Sequence, residues 1–211
     1  MQGRKSFMVR DGIPFVVVPL VLAVAPLAFG YWWLALVLLA LAAFMAFFFR
    51  DPERIPPSDP AIIVAPADGR ITLIEEGGDD KSKSLLVSIF LSPLDVHINR
   101  SPVAGTITDI SYAKGKFLAA TSARASSLNE QNSLTIQSQD LIVGCKQIAG
   151  VLARRIVCWK NEGDEVRAGE RFGMIKFGSR TDLTVQAPVE LLVKKGMHVR
   201  GGVTPIARIL S

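Results

Sequence analysis

The pattern of apolar and polar positions divides the chain near residue 55. From Ile13 to Phe49 there is no charged residue. As one helix that run would be about 55 Å long, against roughly 30 Å for a hydrocarbon core. Two helices fit better, and Phe29-Gly30-Tyr31-Trp32-Trp33 marks the expected break. Its aromatic rings suit a headgroup layer. Arg4, Lys5 and Arg10 precede the run, and Arg50 and Arg54 follow it. Both ends are therefore expected on the cytoplasmic face of the cell membrane. Two other readings stay open. Ala23-Val24-Ala25 is a passable signal-peptide cleavage site, although another apolar stretch follows at once. Pro19 and Pro26 favour a shallow hairpin lying in the interface.

Asp51 to Pro60 is dense in proline and reads as a stiff linker. Beyond it the pattern is short strands with turn signals between them. They are expected at 71–75, 85–91, 106–112, 133–137, 141–148, 155–159, 171–175, 181–187, 191–193 and 206–210. Branched and aromatic residues dominate these runs. Phe117 to Leu128 is the best candidate for a short helix or ordered loop. The fold class is thus a mainly β sandwich of short strands (55–211) behind a basic head and α-helical membrane hairpin (1–54).

Two internal echoes support quasi-symmetry. Ala65-Pro66-Ala67-Asp68-Gly69-Arg70-Ile71 matches Ser101-Pro102-Val103-Ala104-Gly105-Thr106-Ile107 at Pro, Gly and Ile. Gly163-Asp164-Glu165-Val166-Arg167-Ala168-Gly169 matches Gly196-Met197-His198-Val199-Arg200-Gly201-Gly202 at Gly, Val, Arg and Gly. Both resemble the tight turns of lipoyl- and biotin-carrier domains.

Charge and cysteine content change this picture little. The formal net charge of +5 suits anionic lipid headgroups. No dense Lys/Arg stripe interleaved with aromatics points to nucleic acid. Cys145 and Cys158 lack metal spacing and read as core thiols, with a single disulfide left open. No metal site is expected.

Candidate chemistry gathers at few residues. Gly178-Ser179 is expected between two strands, where a bend would present the Gly178 carbonyl to the Ser179 hydroxyl. Alone, a Gly-Ser pair is more often an ordinary turn. Of two histidines, His198 lies in a repeated turn and reads as surface. His97 lies in a polar loop after an apolar strand and is the better base near neutral pH. Asp68 either closes its own turn or orients His97, which would give an Asp–His–Ser set with Ser179.

Several stretches together resemble the short prokaryotic branch of the pyruvoyl-dependent phosphatidylserine decarboxylases. They are Phe48-Phe49-Arg50-Asp51-Pro52, Pro66-Ala67-Asp68-Gly69, Asp95-Val96-His97-Ile98-Asn99-Arg100, Asn129-Glu130, Ala153-Arg154-Arg155-Ile156-Val157-Cys158-Trp159 and Phe177-Gly178-Ser179. The resemblance implies self-cleavage between Gly178 and Ser179, giving chains 1–178 and 179–211 that stay associated. It implies that Ser179 becomes a covalent pyruvoyl cofactor (a pyruvate group), with Asp68 and His97 as the charge relay. The pyruvoyl ketone would form a Schiff base with a phospholipid substrate in the bilayer. Asn129 and Glu130 would contact the headgroup, and a homodimer is one open assembly. Two departures stand out. Longer relatives carry a second histidine where this chain has Leu94. Near Asn129-Glu130, relatives often continue with arginine and have Asp-Lys upstream, where this chain has Gln131 and Ala123-Arg124.

Two other function classes compete. A membrane-anchored serine hydrolase could use the same three residues, but no Gly-x-Ser-x-Gly elbow surrounds Ser179. A non-catalytic lipoyl-like module would need a modifiable lysine at a hairpin tip, and neither repeated turn places one there.

Overall fold

The computed structural model describes residues 7–77, 84–120, 122, 124–139, 141–151, 155–176 and 179–210. It forms two compact units, Met1–Glu53 and Arg54–Ser211.

The first unit is a pair of helices, α1 (Ile13–Ala28) and α2 (Trp32–Phe48). The chain turns at Phe29-Gly30-Tyr31, the expected break. Gly30 takes a φ of +80°, which a side chain would disfavour. Val9 N–H donates to Phe49 O (3.1 Å) and Asp51 N–H to Phe7 O (2.9 Å), closing the other end of the pair. Phe15 stacks on Phe49 with ring centroids 5.1 Å apart. Most apolar side chains still point outward, among them Val21, Leu22, Leu36 and Val37. The stretch Arg10–Ala28, 19 residues, is long and apolar enough to cross a membrane, while Trp32–Phe48 is apolar but shorter.

The second unit is mainly β, as expected. Its described strands are β1 (Ile62–Val64), β2 (Gly69–Gly77), β3 (Ser84–Leu91), β4 (Ile98–Arg100), β5 (Gly105–Ala113), β6 (Gln131–Ser138) and β7 (Leu141–Ile148). Then come β8 (Ile156–Cys158), β9 (Glu165–Val166), β10 (Arg171–Ile175), β11 (Ser179–Gln186), β12 (Val189–Leu191), β13 (His198–Val199) and β14 (Pro205–Ile209). Among the described residues they form one large sheet, ordered β13-β2-β3-β11-β7-β6-β5-β9, and two three-stranded sheets, β1-β14-β12 and β4-β10-β8. Every strand pair is antiparallel. The core comes from inward positions such as Ile71, Val87, Ile89, Ile107, Ile136, Val143, Leu183 and Val185, with Phe172 and Ile206 packed against them. Cys145 and Cys158 are free thiols, and Cys145 lies in this core.

The sequence echoes are real in three dimensions. Val199 pairs with Gly69 and His198 with Arg70, while Val166 pairs with Gly105 and Glu165 with Thr106. Gly196 N–H donates to Ile71 O and Gly163 N–H to Ile107 O, each at 2.8 Å. Register shifts fall between Ile71 and Leu73 and between Ile107 and Asp109. At each bulge a threonine hydroxyl bonds across the ladder, Thr72 to Ser88 O (3.3 Å) and Thr108 to Thr135 O (3.4 Å). The large sheet is therefore two copies of one arrangement, meeting where β11 pairs with β7.

Within the 117–128 segment, expected as a short helix or ordered loop, Ala125–Leu128 is helical (α3) among the described residues. Other expectations need correction. The strand expected at 191–193 runs over Val189–Leu191 instead. Ser179 lies inside a strand, β11, rather than in the turn before one. Phe177 and Gly178 lie outside the described residues.

Candidate active site

Ser179 opens β11, held between β3 and β7. It pairs with Leu91, and the next residue, Arg180, pairs with both Phe90 and Ile148. Alternation along a strand sends Ser179 and Thr181 to one face and Arg180 and Asp182 to the other. Arg180 and Asp182 form a forked ion pair, Nε–Oδ1 2.6 Å and Nη2–Oδ2 2.8 Å, both side chains buried. On the other face a buried polar chain runs through the sheets. Asn99 Nδ2 donates to Thr181 Oγ1 (2.9 Å), Gln147 Nε2 to Asn99 Oδ1 (2.8 Å), and Asn132 Nδ2 to Gln147 Oε1 (3.0 Å). This chain locks β4, which follows His97, against β11, β7 and β6. Gly173 leaves room for it, since a Cβ there would lie 3.0 Å from Gln147 Nε2. Ser179 differs from these neighbours. Its side chain is fully buried, yet its Oγ has no hydrogen-bond partner among the described residues. A buried, unsatisfied hydroxyl costs stability and calls for a reason.

His97 is 1% exposed. Its Nδ1 lies 2.9 Å from the Asp95 carbonyl oxygen. A carbonyl only accepts, so Nδ1 carries the proton and Nε2 is the basic nitrogen of the neutral ring. That tautomer is the one a general base needs. The loop is braced by Asp95, whose Oδ2 accepts from Ser92 N–H (2.8 Å) and Ser92 Oγ (2.7 Å). The His97 carbonyl accepts from Ile175 N–H (3.2 Å). His97 thus lies beside Ile175, the last residue of β10.

Asp68 sits in its tight turn, buried, next to the same loop. Arg54 Nη2 donates to Oδ2 (2.7 Å) and Gly201 N–H to Oδ1 (2.7 Å). The turn is tied to β4 by Arg100 N–H donating to Pro66 O (2.9 Å). Burial pushes the Asp68 carboxyl above the usual carboxylate range. Arg54 and the Gly201 N–H oppose that, while nearby Asp95 adds to it. The three expected residues therefore lie around one end of the large sheet, Asp68 and His97 held by hydrogen bonds to their side chains and Ser179 by its backbone ladder. The Asp68 bonds go to Arg54 and Gly201, and the Ser179 hydroxyl is not bonded to His97.

Asn129 is almost fully buried. Its Oδ1 accepts from Leu118 N–H (2.9 Å), and its Nδ2 donates to Leu118 O (2.8 Å) and Ala149 O (2.7 Å). It staples the loop before β6. Glu130 is half-buried beside it, and its N–H donates to Lys116 O (3.0 Å). His198 is exposed, as expected, with 55% of its side chain in solvent, yet its Nε2 lies 2.9 Å from Asp95 Oδ1.

Sequence reasoning missed Arg54, Asp95, Asn99, Gly201 and this contact of His198. The one signal was the repeat itself. Aligning the two glycine turns sets His198 and Gly201 beside the Asp68 turn, across from Arg70 and Gly69.

Comparison with known proteins agrees with this geometry. Residues 41–207 match the family described as phosphatidylserine decarboxylase. The chain belongs to the phosphatidylserine decarboxylase family. A phosphatidylserine decarboxylase proenzyme of Symbiobacterium thermophilum is 45% identical over 210 residues, covering 98% of this chain and 97% of the relative. One of Syntrophus aciditrophicus is 41% identical over 206 residues, covering 95% and 97%. One of Rhodococcus erythropolis is 44% identical over 205 residues, covering 94% and 86%. All three carry the word proenzyme in their names, and membership of the family makes this chain a decarboxylase, a lyase.

Proposed function

We propose that the chain is a membrane-tethered proenzyme that cuts itself between Gly178 and Ser179 and then decarboxylates phosphatidylserine to phosphatidylethanolamine. The observation that carries this reading is the buried Ser179 hydroxyl, without a hydrogen-bond partner among the described residues, on a strand fixed on both sides. A hydroxyl with no bond to break is ready to attack a neighbouring carbonyl. His97, with its proton on Nδ1, takes the Oγ proton on Nε2. Oγ then adds to the Gly178 carbonyl carbon, the C–N bond breaks, and the amide becomes an ester. Loss of the Ser179 α-proton breaks the Cβ–O bond and releases the Gly178 carboxylate. Water replaces nitrogen in the dehydroalanine left behind, ammonia departs, and residue 179 ends as a pyruvoyl group.

That group supplies a ketone, which condenses with an amine and accepts the electrons left by departing carbon dioxide. The residues around it have separate tasks. His97 is the donor in reach for returning a proton to the substrate carbon. The Asn99–Gln147–Asn132 chain holds the His97 segment at fixed distance from residue 179. The apolar helices, with their side chains outward, suit a tether that keeps the site near lipid headgroups. Ladders on both edges of β11 would keep the two pieces together.

The test is intact mass and a denaturing gel of the full-length protein. The expected result is two fragments, with Ser179→Ala giving a single uncut chain. The short fragment should resist Edman degradation, because its first residue lacks an amine. A Ser179→Ala chain that still splits at this bond would overturn the reading, and an intact wild-type chain with activity on esters would point to a hydrolase.

A further inference from the structure

The segment from Arg54 to β1 is docked at several points. Pro56 packs on Gly169, its Cβ and Cγ 3.4 Å from where a Cβ on that glycine would stand. Pro57 to Pro60 line a groove beside Val103, Ala104 and Gly105. Asp59 then caps the entry to β1, its Oδ1 accepting from Ala61 N–H (2.9 Å) and its Oδ2 lying 3.2 Å from Arg208 Nη1. The strap begins at Arg54, whose guanidinium reaches Asp68 at 2.7 Å with both side chains 11% exposed. A shielded, charge-assisted bond of this kind fixes orientation as well as charge. Proline limits how far the strap can relax.

We propose that Arg54 is a positioning residue for self-processing at Ser179, acting through Asp68: the docked strap delivers its guanidinium to the carboxylate and fixes that carboxylate beside the His97 loop. The proposal rests on the reading of Asp68 as part of the relay. Burial alone pushes the Asp68 carboxyl up, and Asp95, itself paired with His198, pushes the same way. Among the described charged groups acting on Asp68, Arg54 is the one that opposes them. Without it Asp68 would stay protonated to higher pH, and a protonated carboxyl cannot support the imidazolium that forms when His97 accepts a proton. Gly201 belongs to the same device. A Cβ there would come within 3.1 Å of the Ala67 backbone, so glycine permits the close approach of its N–H to Asp68.

The experiment follows self-cleavage of freshly synthesised full-length chain on gels from pH 5 to 9. It uses wild type, Arg54→Met, Arg54→Gln, Arg54→Lys, Asp68→Asn and the Arg54→Met/Asp68→Asn double variant. Both uncharged variants should cleave about tenfold more slowly at neutral pH or below, with the acid limb of the rate profile moved upward. Two such variants guard against one failing to fold. Arg54→Lys, which keeps the charge, should recover most of the rate and the wild-type limb. In the Asp68→Asn background, Arg54→Met should add no further loss. Arg54→Met and Arg54→Gln with wild-type rate and limb, beside a slow Asp68→Asn, would overturn the inference alone. A wild-type rate in Asp68→Asn would overturn the relay reading and the inference with it. Slow Arg54 variants with an unmoved limb, or with losses that add to those of Asp68→Asn, would reduce Arg54 to a structural strap residue.

Discussion

The two halves of the large sheet share a frame and differ in what is added to it. Gly69 and Gly105 occupy matching places: a Cβ at either would strike a backbone carbonyl, Phe90 O at 2.1 Å or Gln137 O at 2.3 Å. Following the registers outward, Asp68 corresponds to Ala104, His198 to Glu165, Gly201 to Ala168 and Ser179 to Leu141. The first half holds the candidate site. The second holds, at the same place, an open groove of about 1210 Å³ lined by Ala104, Ser138, Leu141 and Ala168. None of Asp68, His97 or Ser179 lines it. His97 has no counterpart, because β6 turns straight into β7, whereas β3 is followed by the Ser92–His97 loop and β4. Arg54 has none either: the strap meets the second half with prolines. The shared frame supplies tight turns and register, and the chemistry comes from the unshared additions.

This comparison can be broken by exchange. The largest effect is expected from swapping the turn residues. Asp68→Ala, which makes the first turn like the second, should slow self-cleavage about tenfold or more. Ala104→Asp, on an exposed turn of the other half, should leave the rate unchanged. Gel time courses of the two variants measure both, and equal rates would show the halves to be interchangeable at this position. Next in size is the shared frame itself. Gly69→Ala and Gly105→Ala should each lower stability by about 2–4 kcal/mol in urea unfolding, from the carbonyl clash. Gly69→Ala should lose more, since its φ of +145° also disfavours a side chain. A loss confined to one half would mean that the frames are not equivalent. The smallest effect belongs to the bulge threonines. Thr72→Val and Thr108→Val should each cost roughly 0.5–1.5 kcal/mol, and by similar amounts, because each removes one long hydrogen bond. A clear inequality in the same unfolding measurement would locate unequal load on the two bulges.

Long strands with alternating apolar residues were legible from the sequence. Leu141–Ile148 falls where expected because its alternating burial persists over enough residues to register, and Arg171–Ile175 because it is a short apolar run buried from Phe172 onward. The helix break at Gly30 was legible for a similar reason, the length of an apolar run being bounded. The strands β1, β4, β9 and β13 were not, since two or three residues leave no room for a period. The start of β11 misled for a different reason. The strand expected from Thr181 begins at Ser179 instead: Arg180 and Asp182 neutralise each other and Thr181 bonds to Asn99, so the polar run from Ser179 to Asp182 lies buried in a strand. At the site, Asp68, His97 and Ser179 were named from loop position and family likeness. Arg54 and Asp95 were not, because their partners, Asp68 and His198, are distant in sequence and local pattern holds no trace of such contacts.

The position of β11 has a consequence for how the molecule can be remade. A cut before Ser179 would place β11 to β14 on a separate short chain. That chain would supply the strand between β3 and β7 and two of the three strands of the β1-β14-β12 sheet. Before the cut, folding is unimolecular and indifferent to dilution. After it, the same fold would be a complex of two chains, and its stability would obey mass action, with a melting temperature that rises with protein concentration. Two dilute fragments would then have to find each other before the sheet could close. Folding first and cutting afterwards avoids that search, so the uncut chain serves as the template that sets every register while its pieces are still joined.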